Sequence, residues 1–557
     1  MVTNKYITKI ASVIMAAAVI LCLLACAFSQ KLQAVYGNNA VAMEYESKLF
    51  DTDQIMDIDI LMDEDDWNDM LENAISEEYY SCDVVVNGKT FYSVGIRPKG
   101  NTSLSSIVND PDTDRYSFKL EFDHYIEGQT CYGLDKLILN NNYADATNMK
   151  EAIVYDMYQY LGVDASLYNY AKISVNGDYR GVYLALEAVE DSFMLRNYGT
   201  EDGNLYKPES MGIGGGVDGN GFPQKGEMPD GEDFPQKGEM PDGEDFPQMG
   251  EMPDGEDFPQ MGEAPNGEAA DIKMGIMGGN GGADLNYTDD DLDSYSTIWD
   301  GEITDTDKKD HKRVVEALKN ISEGTDLETY MDVDNILKYM AVHTFVVNDD
   351  SLSGTMAHNY YLYEYNGRLN ILPWDYNLSF GGMSMDGKMG GQSSGATSVI
   401  NDAIDTPFSI TDFFDALLEN EEYLEQYHGY LNELVEKYVN GGELEKTYER
   451  IRSQIDDLVG DDPTAFYSYE EYEKAANMLM EVVQLRAKSV SGQLAGTIPS
   501  TDEGQQDSSN LIDGSDIDLS IMGSFSGGGG KNGDPGNVPQ TSEEKADLQD
   551  SNQDSVK

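Results

Sequence analysis

The sequence predicts an α+β fold from three observations. Short alternating runs joined by Asn-Gly turns fill the first half, apolar residues spaced by three and four fill the second, and a proline- and glycine-rich break separates them. From Met56 to Met62, Ile58, Ile60 and Met62 alternate with acidic residues, as in a half-buried strand, and Asp63 stands where it can cap a short helix through Trp67 and Leu71. Cys82 to Val86, the turn Asn87-Gly88, and Phe91 to Ile96 read as a hairpin. The same grammar returns in Ala171 to Val175, Asn176-Gly177, and Tyr179 to Glu187, after a predicted helix from Thr147 to Leu161.

Between about Met211 and Gly282 a twelve-residue unit close to FPQKGEMPDGED repeats from Phe222, Phe234, Phe246 and Phe258. Each unit has too few apolar anchors to offset the ordering of its backbone, so a disordered or polyproline-like insertion is expected, with a Ca²⁺ array or a docking strip as sharper alternatives. It has no serine or threonine from Met211 to Tyr287 and cannot be a Ser/Thr phosphoacceptor. Helical spacing then covers His311 to Ile321, Val333 to Val347, Asp412 to Tyr438, Leu444 to Leu458 and Tyr469 to Leu494. Strand-like Tyr360 to Tyr365 and Leu369 to Pro373, joined by Asn366-Gly367, interrupt them. From Gly496 onward Gly, Ser, Asp and Gln dominate, and an unfolded tail is expected.

At the other end, Lys5 and Lys9 precede the apolar stretch Ile10 to Phe28, an export signal or anchor that turns the acidic body outward. Leu23-Leu24-Ala25-Cys26 resembles a lipobox, and a lipoprotein and an uncleaved anchor helix both fit. The expected location is extracytoplasmic, at the membrane or in the spore or cell envelope. With 103 acidic and 36 basic residues, the net charge of −67 repels nucleic acid and anionic lipid and argues against them as partners, so a small anionic ligand would have to be held by local cation clusters, backbone N–H groups and metal ions. Cys82 and Cys131 are open to one disulfide or two free thiols, and His343 and His358 lack metal-site spacing and read as satisfied buried histidines.

Several blocks carry a resemblance in unbroken order: Ile96-Arg97-Pro98-Lys99-Gly100-Asn101-Thr102-Ser103, Ser117 to Asp123, Gly181 to Glu187, His358 to Tyr363, and Pro373-Trp374-Asp375-Tyr376-Asn377. From about Met56 to Gly382, insertion removed, the chain resembles the spore coat protein H (CotH) kinase-like family. The resemblance implies an atypical protein-kinase-like two-lobe fold that uses Mg-ATP, with Mn²⁺ as a substitute, to phosphorylate serines of Ser-rich coat or envelope proteins. The implied layout is a signal or anchor at 1–30, a linker at 31–55, a nucleotide-binding α+β lobe at 56–210, the insertion at 211–285, a helical lobe at 286–494 and the tail at 495–557. A non-catalytic envelope scaffold with the same fold is the alternative.

Within that frame Asp350 takes the general-base or hydroxyl-orienting role, with adjacent Asp349 as its rival. Asp375, at the end of a strand, is the metal ligand, and Asn359 the second one. Arg97 and Lys99 form a basic turn suited to phosphates. Lys119 is expected to be the phosphate-binding lysine, oriented by Glu151 at the start of the next helix. Glu187 and Lys207 are further candidates for the nucleotide's surroundings. Tail serines, Ser508 to Ser526, are candidate self-modification sites.

Overall fold

The first strand of the structure, β1 (Met56–Leu61), buries Met56, Ile58 and Ile60 and turns Asp57 and Leu61 to solvent, so the alternation read from the sequence is a strand face. Asp63 accepts a hydrogen bond from Asp65 N and starts the helix Glu64–Glu72. Asn87 (φ +49°) and Gly88 (φ +80°) adopt the left-handed pair that a two-residue hairpin turn needs, joining β2 (Tyr80–Val86) to β3 (Lys89–Lys99). β4 (Ser117–Glu121) and β5 (Lys136–Asn140) extend the antiparallel sheet, and the Asn176-Gly177 hairpin supplies β6 (Tyr168–Val175) and β7 (Asp178–Glu187). β1 pairs in parallel with β6, which closes a seven-stranded barrel in the order β1-β2-β3-β4-β5-β7-β6.

Because side chains alternate across a strand, the wall has two faces. Ile58, Val84, Ile96, Phe118, Leu120, Leu137, Leu139 and Tyr183 fill the barrel. Ile138, Leu184, Leu186, Tyr168 and Tyr170 face outward into a larger core shared with the helices. Those helices are α1 (Lys150–Leu161), α2 (Lys308–Ser322), α3 (Val333–Val346), α4 (Glu421–Glu433), α5 (Glu443–Gly460) and α6 (Tyr469–Leu494), with a second sheet β10-β9-β8 built from β8 (Asn204–Tyr206), β9 (Tyr360–Tyr365) and β10 (Arg368–Pro373). Arg115, ahead of β4, bonds Asp462, beyond α5, at 2.8 Å with both side chains 2 % exposed, and fastens the barrel to the helices.

The computed structural model describes residues 40–208, 282–354, 357–383, 395–408, 410–506 and 508–524. They fall in one unit, Met1–Met211 with Asn280–Lys557, while the second unit, Gly212–Gly279, lies outside them. The expected signal or anchor, the repeat insertion and the glycine run Gly527 to Gly530 therefore lie outside the described residues. Among the described residues no helix is long and apolar enough to cross a membrane. Cys82 and Cys131 are buried free thiols.

Two expectations are corrected. The predicted helix from Asp412 to Tyr438 is a short helix Asp415–Leu418, then α4, then a π-helical turn Leu434–Val439, because Asn420 accepts from Glu422 N and Tyr423 N and restarts the helix there. Among the described residues after 494, which reach 524, the chain is folded. Polar backbone pairing holds it: Asn401 brackets Ile512 with bonds of 2.8 and 2.9 Å, Asp405 N donates to Ser500 O, and Ala146 N donates to Met522 O at 3.1 Å. Met522 is 1 % exposed in the shared core, and at Gly523 (φ +84°) a Cβ would lie 2.5 Å from Ala144 O.

Candidate functional site

Alternation puts Arg97, Lys99, Lys119, Lys136 and Asn140 on the outer face of β3, β4 and β5, opposite the barrel filling. The register sorts them. Arg97 pairs across to Lys119, whereas Lys99 pairs to Ser117, one step nearer the end of the sheet where α1 begins. Lys99 Nζ donates to Asn140 Oδ1 at 3.4 Å and stands over the Trp374 ring at 5.7 Å. Asn140 Nδ2 in turn donates to Glu151 Oε2 at 2.8 Å.

Glu151, in the first turn of α1, also accepts a 3.4 Å bond from Tyr376 N, which brings it against the loop after β10. Asp375 in that loop has φ +59°, a left-handed conformation that turns the chain sharply at the strand end. Burial raises the Asp375 carboxyl above its ordinary range; Lys99 opposes this, and Asp350 adds to it. Burial and then Asp375 push Glu151 up to about 8, against Asn140 and Lys99. Burial lowers Lys99, while Asp375 supports its charge and Lys207 works against it. Three carboxylates and two lysines thus share one electrostatic neighbourhood, with the acids short of cation.

Asp350 follows α3 and is held on both oxygens. His358 Nε2 lies 2.6 Å from Oδ1, and Asn359 Nδ2 donates to Oδ2 at 2.9 Å and to the Asp350 carbonyl at 2.7 Å. Asn348 Nδ2 reaches the Asp375 carbonyl at 3.4 Å, tying the two acidic loops together. Asp349 instead lines a cavity of about 140 Å³ with Thr344, Asp402, Thr406 and Asp502.

Among the expected residues the structure therefore brings Lys99, Glu151, Asp375, Asp350 and Asn359 together. Lys119 belongs elsewhere: its Nζ bonds Glu190 at 2.5 Å, and Lys136 bonds the other oxygen of Glu190, so the expected Lys119–Glu151 pair is replaced by Lys99 near Glu151. Glu187 is fully buried, taken up by Arg196 at 2.6 Å, Tyr45 OH at 2.5 Å and Leu167 N. Arg97 pairs with Glu77 and lies over the Tyr79 ring. His358, Asn140 and Asn348 were not singled out as site residues; the position of His358 next to Asn359 was the available signal. His343 is buried and doubly bonded, as read.

Among the described residues no group of three or more His, Cys, Asp or Glu forms a ready-made metal cage. Mg²⁺ does not need one, since one or two carboxylates and the substrate's phosphates hold it with water. Asp375, with a buried carboxyl lacking sufficient counter-charge, fits that demand. Such an arrangement defines a class: a desolvated lysine set against a pair of acidic loops, suited to an anionic ligand that brings cation with it.

The sequence model described as CotH kinase protein matches residues 96–490, most of the chain, and the chain belongs to that family. Strands β1 and β2 and the folded stretch up to 524 lie outside the matched residues. A comparison with curated proteins found no match.

Proposed function

We propose that the chain is a protein serine kinase, moving the γ-phosphoryl group of ATP to Ser hydroxyls of a coat or envelope protein. The observation that carries this reading is the convergence of Lys99, Glu151, Asp375 and Asp350 from four separate stretches of sequence on one neighbourhood. In this reading the barrel and the helices are the two lobes of a kinase-like fold, with the nucleotide between them.

Lys99 steadies the phosphates by charge, and Glu151 with Asn140 holds the lysine in place. Asp375, with Asn359 as second candidate, holds Mg²⁺ or Mn²⁺, which when bound neutralises charge on the transferring group. Asp350, fixed by His358 and Asn359, orients the acceptor hydroxyl and takes its proton as the Ser Oγ–P bond forms and the γ-phosphorus bond to the β-phosphate oxygen breaks. Positioning and electrostatics of this kind supply most of the catalysis in phosphoryl transfer. The N-terminal segment is the basis for placing the activity outside the cytoplasm, tethered at the membrane.

The test is transfer of label from γ-labelled ATP to a Ser-rich protein with Mg²⁺, wild type against Asp375→Ala. Label transferred equally by the variant removes Asp375 from the chemistry. A folded wild type that binds no nucleotide in a Mg-ATP thermal-shift titration replaces the enzyme with an envelope scaffold.

A further inference from the structure

A chain of hydrogen bonds, buried except at Ser353, runs behind the acidic loops, and His343 and Ser353 border the cavity lined by Asp349. Tyr158 OH, on α1, lies 2.5 Å from Tyr376 OH; Tyr376 OH lies 2.9 Å from His343 Nδ1; His343 Nε2 lies 2.9 Å from Ser353 Oγ; and Ser353 Oγ donates to the Asn348 carbonyl at 2.8 Å. Tyr158, Tyr376 and His343 are each 1 % exposed or less. The His343 ring stacks with Tyr339 and with Phe408, with centroids at 5.3 and 5.5 Å. Tyr339 OH stands farther from Nδ1, at 3.5 Å.

The direction of each bond follows by elimination. A carbonyl only accepts, so the Ser353 hydroxyl spends its proton on Asn348 and must accept from His343, which places the ring proton on Nε2. Burial holds the imidazole neutral, its pKa lowered to about 3, so Nδ1 is an acceptor and Tyr376 donates to it. Tyr376 oxygen then accepts from Tyr158.

The members of this chain sit next to the residues of the proposed site. Asn348 is two residues before Asp350 and bonds the Asp375 carbonyl, Tyr376 follows Asp375 and its N–H reaches Glu151, and Tyr158 shares α1 with Glu151. We infer that His343 is a positioning residue: a neutral, Nε2-protonated imidazole whose two nitrogens lock the Asp350 loop and the Asp375 loop into one arrangement for phosphoryl transfer. Resting on the kinase reading, the inference assigns His343 no contact with substrate. Its ring acts only through Ser353 and Tyr376.

Tyr376→Phe and Ser353→Ala each remove one hydroxyl and keep the packing. Each is expected to lower kcat by roughly 10- to 100-fold, the penalty of a small misplacement, with KM for ATP and the melting midpoint near wild type. The double variant should be no slower than the worse single, because both act through one ring. Tyr158→Phe, which leaves the donation from Tyr376 to His343 intact, should cost less than either. Wild-type kcat in both single variants, or losses that only track the folded fraction, would overturn the inference.

A readout independent of activity is nitrogen-15 NMR of the His343 ring, expected to show the proton on Nε2, together with faster hydrogen exchange at residues 348–353 in Tyr376→Phe. A ring protonated on Nδ1, or unchanged exchange, sinks the positioning role even if the kinase reading stands. An inactive wild type with the Nε2 proton and the exchange change in place would sink the kinase reading and leave the lock.

Discussion

Glu151, buried, and Glu190, half-buried, stand beside the same basic wall of the barrel, and their carboxyls shift in opposite directions. Glu190 meets Lys119 and Lys136, one on each oxygen, and the two cations outweigh burial, so its carboxyl sits below the ordinary range. Glu151 has an amide, a backbone N–H and a share of Lys99, and burial with the neighbouring Asp375 raises it to about 8. At Glu190 the charge is compensated within the fold. At Glu151 and Asp375 compensation is left incomplete, the condition that a cation-bearing ligand relieves.

The comparison can be broken in order of expected effect. Asp375→Asn keeps size and removes charge; transfer should fall on the order of 10³-fold, about 4 kcal/mol of barrier, and the Mg-ATP thermal shift should vanish. Retained transfer would place the missing cation elsewhere. Glu190→Ala leaves Lys119 and Lys136 facing each other, and urea unfolding should show a loss of about 3 kcal/mol; an unaltered midpoint would deny that this acid is structural. Glu151→Gln should do the reverse, holding or raising the melting midpoint of the ligand-free protein while slowing transfer ~10²-fold.

The smallest effect belongs to Asp135, 8 % exposed, which burial raises to about 6 against the bond from Ser192, with Glu190 adding to the rise. The folded state then holds a proton that the unfolded chain has already released, so this contribution is full below pH ~4 and is lost as pH rises to about 6. Asp135→Asn should flatten the stability curve across that window by about 2 kcal/mol at most, read from melts at pH 4, 5, 6 and 7. A curve as steep as wild type would assign the slope to another group.

What the sequence disclosed was local chemistry. α6 begins and ends where apolar spacing put it, with Ser468 and Glu471 forming a capping box at its start, and all three Asn-Gly turns fixed their hairpins. Asp350 and Asp375 stood out through the family resemblance of the stretches around them, and the structure sets each just past a regular element, α3 and β10. The choice between Lys99 and Lys119 was not legible, since it depends on where β3 and β4 end relative to α1 and on Glu190, seventy-one residues from Lys119. Barrel closure depends on β1 finding β6 across more than a hundred residues, with no motif to announce it. The stretch after 494 reads as polar filler because its anchors are Asn401, Thr397 and bare backbone on other elements, a pattern with no periodicity.

That stretch decides where the protein can be cut. A shortened chain stopping at Leu494, the end of the last long helix, would empty the socket that Met522 occupies in the core and take the Gly523 carbonyl, 3.5 Å away, from the Lys150 ammonium. Lys150 is the residue before Glu151, so trimming for convenience of expression would disturb the helix start on which the lysine–glutamate arrangement rests. A sample ending after residue 524 keeps that support.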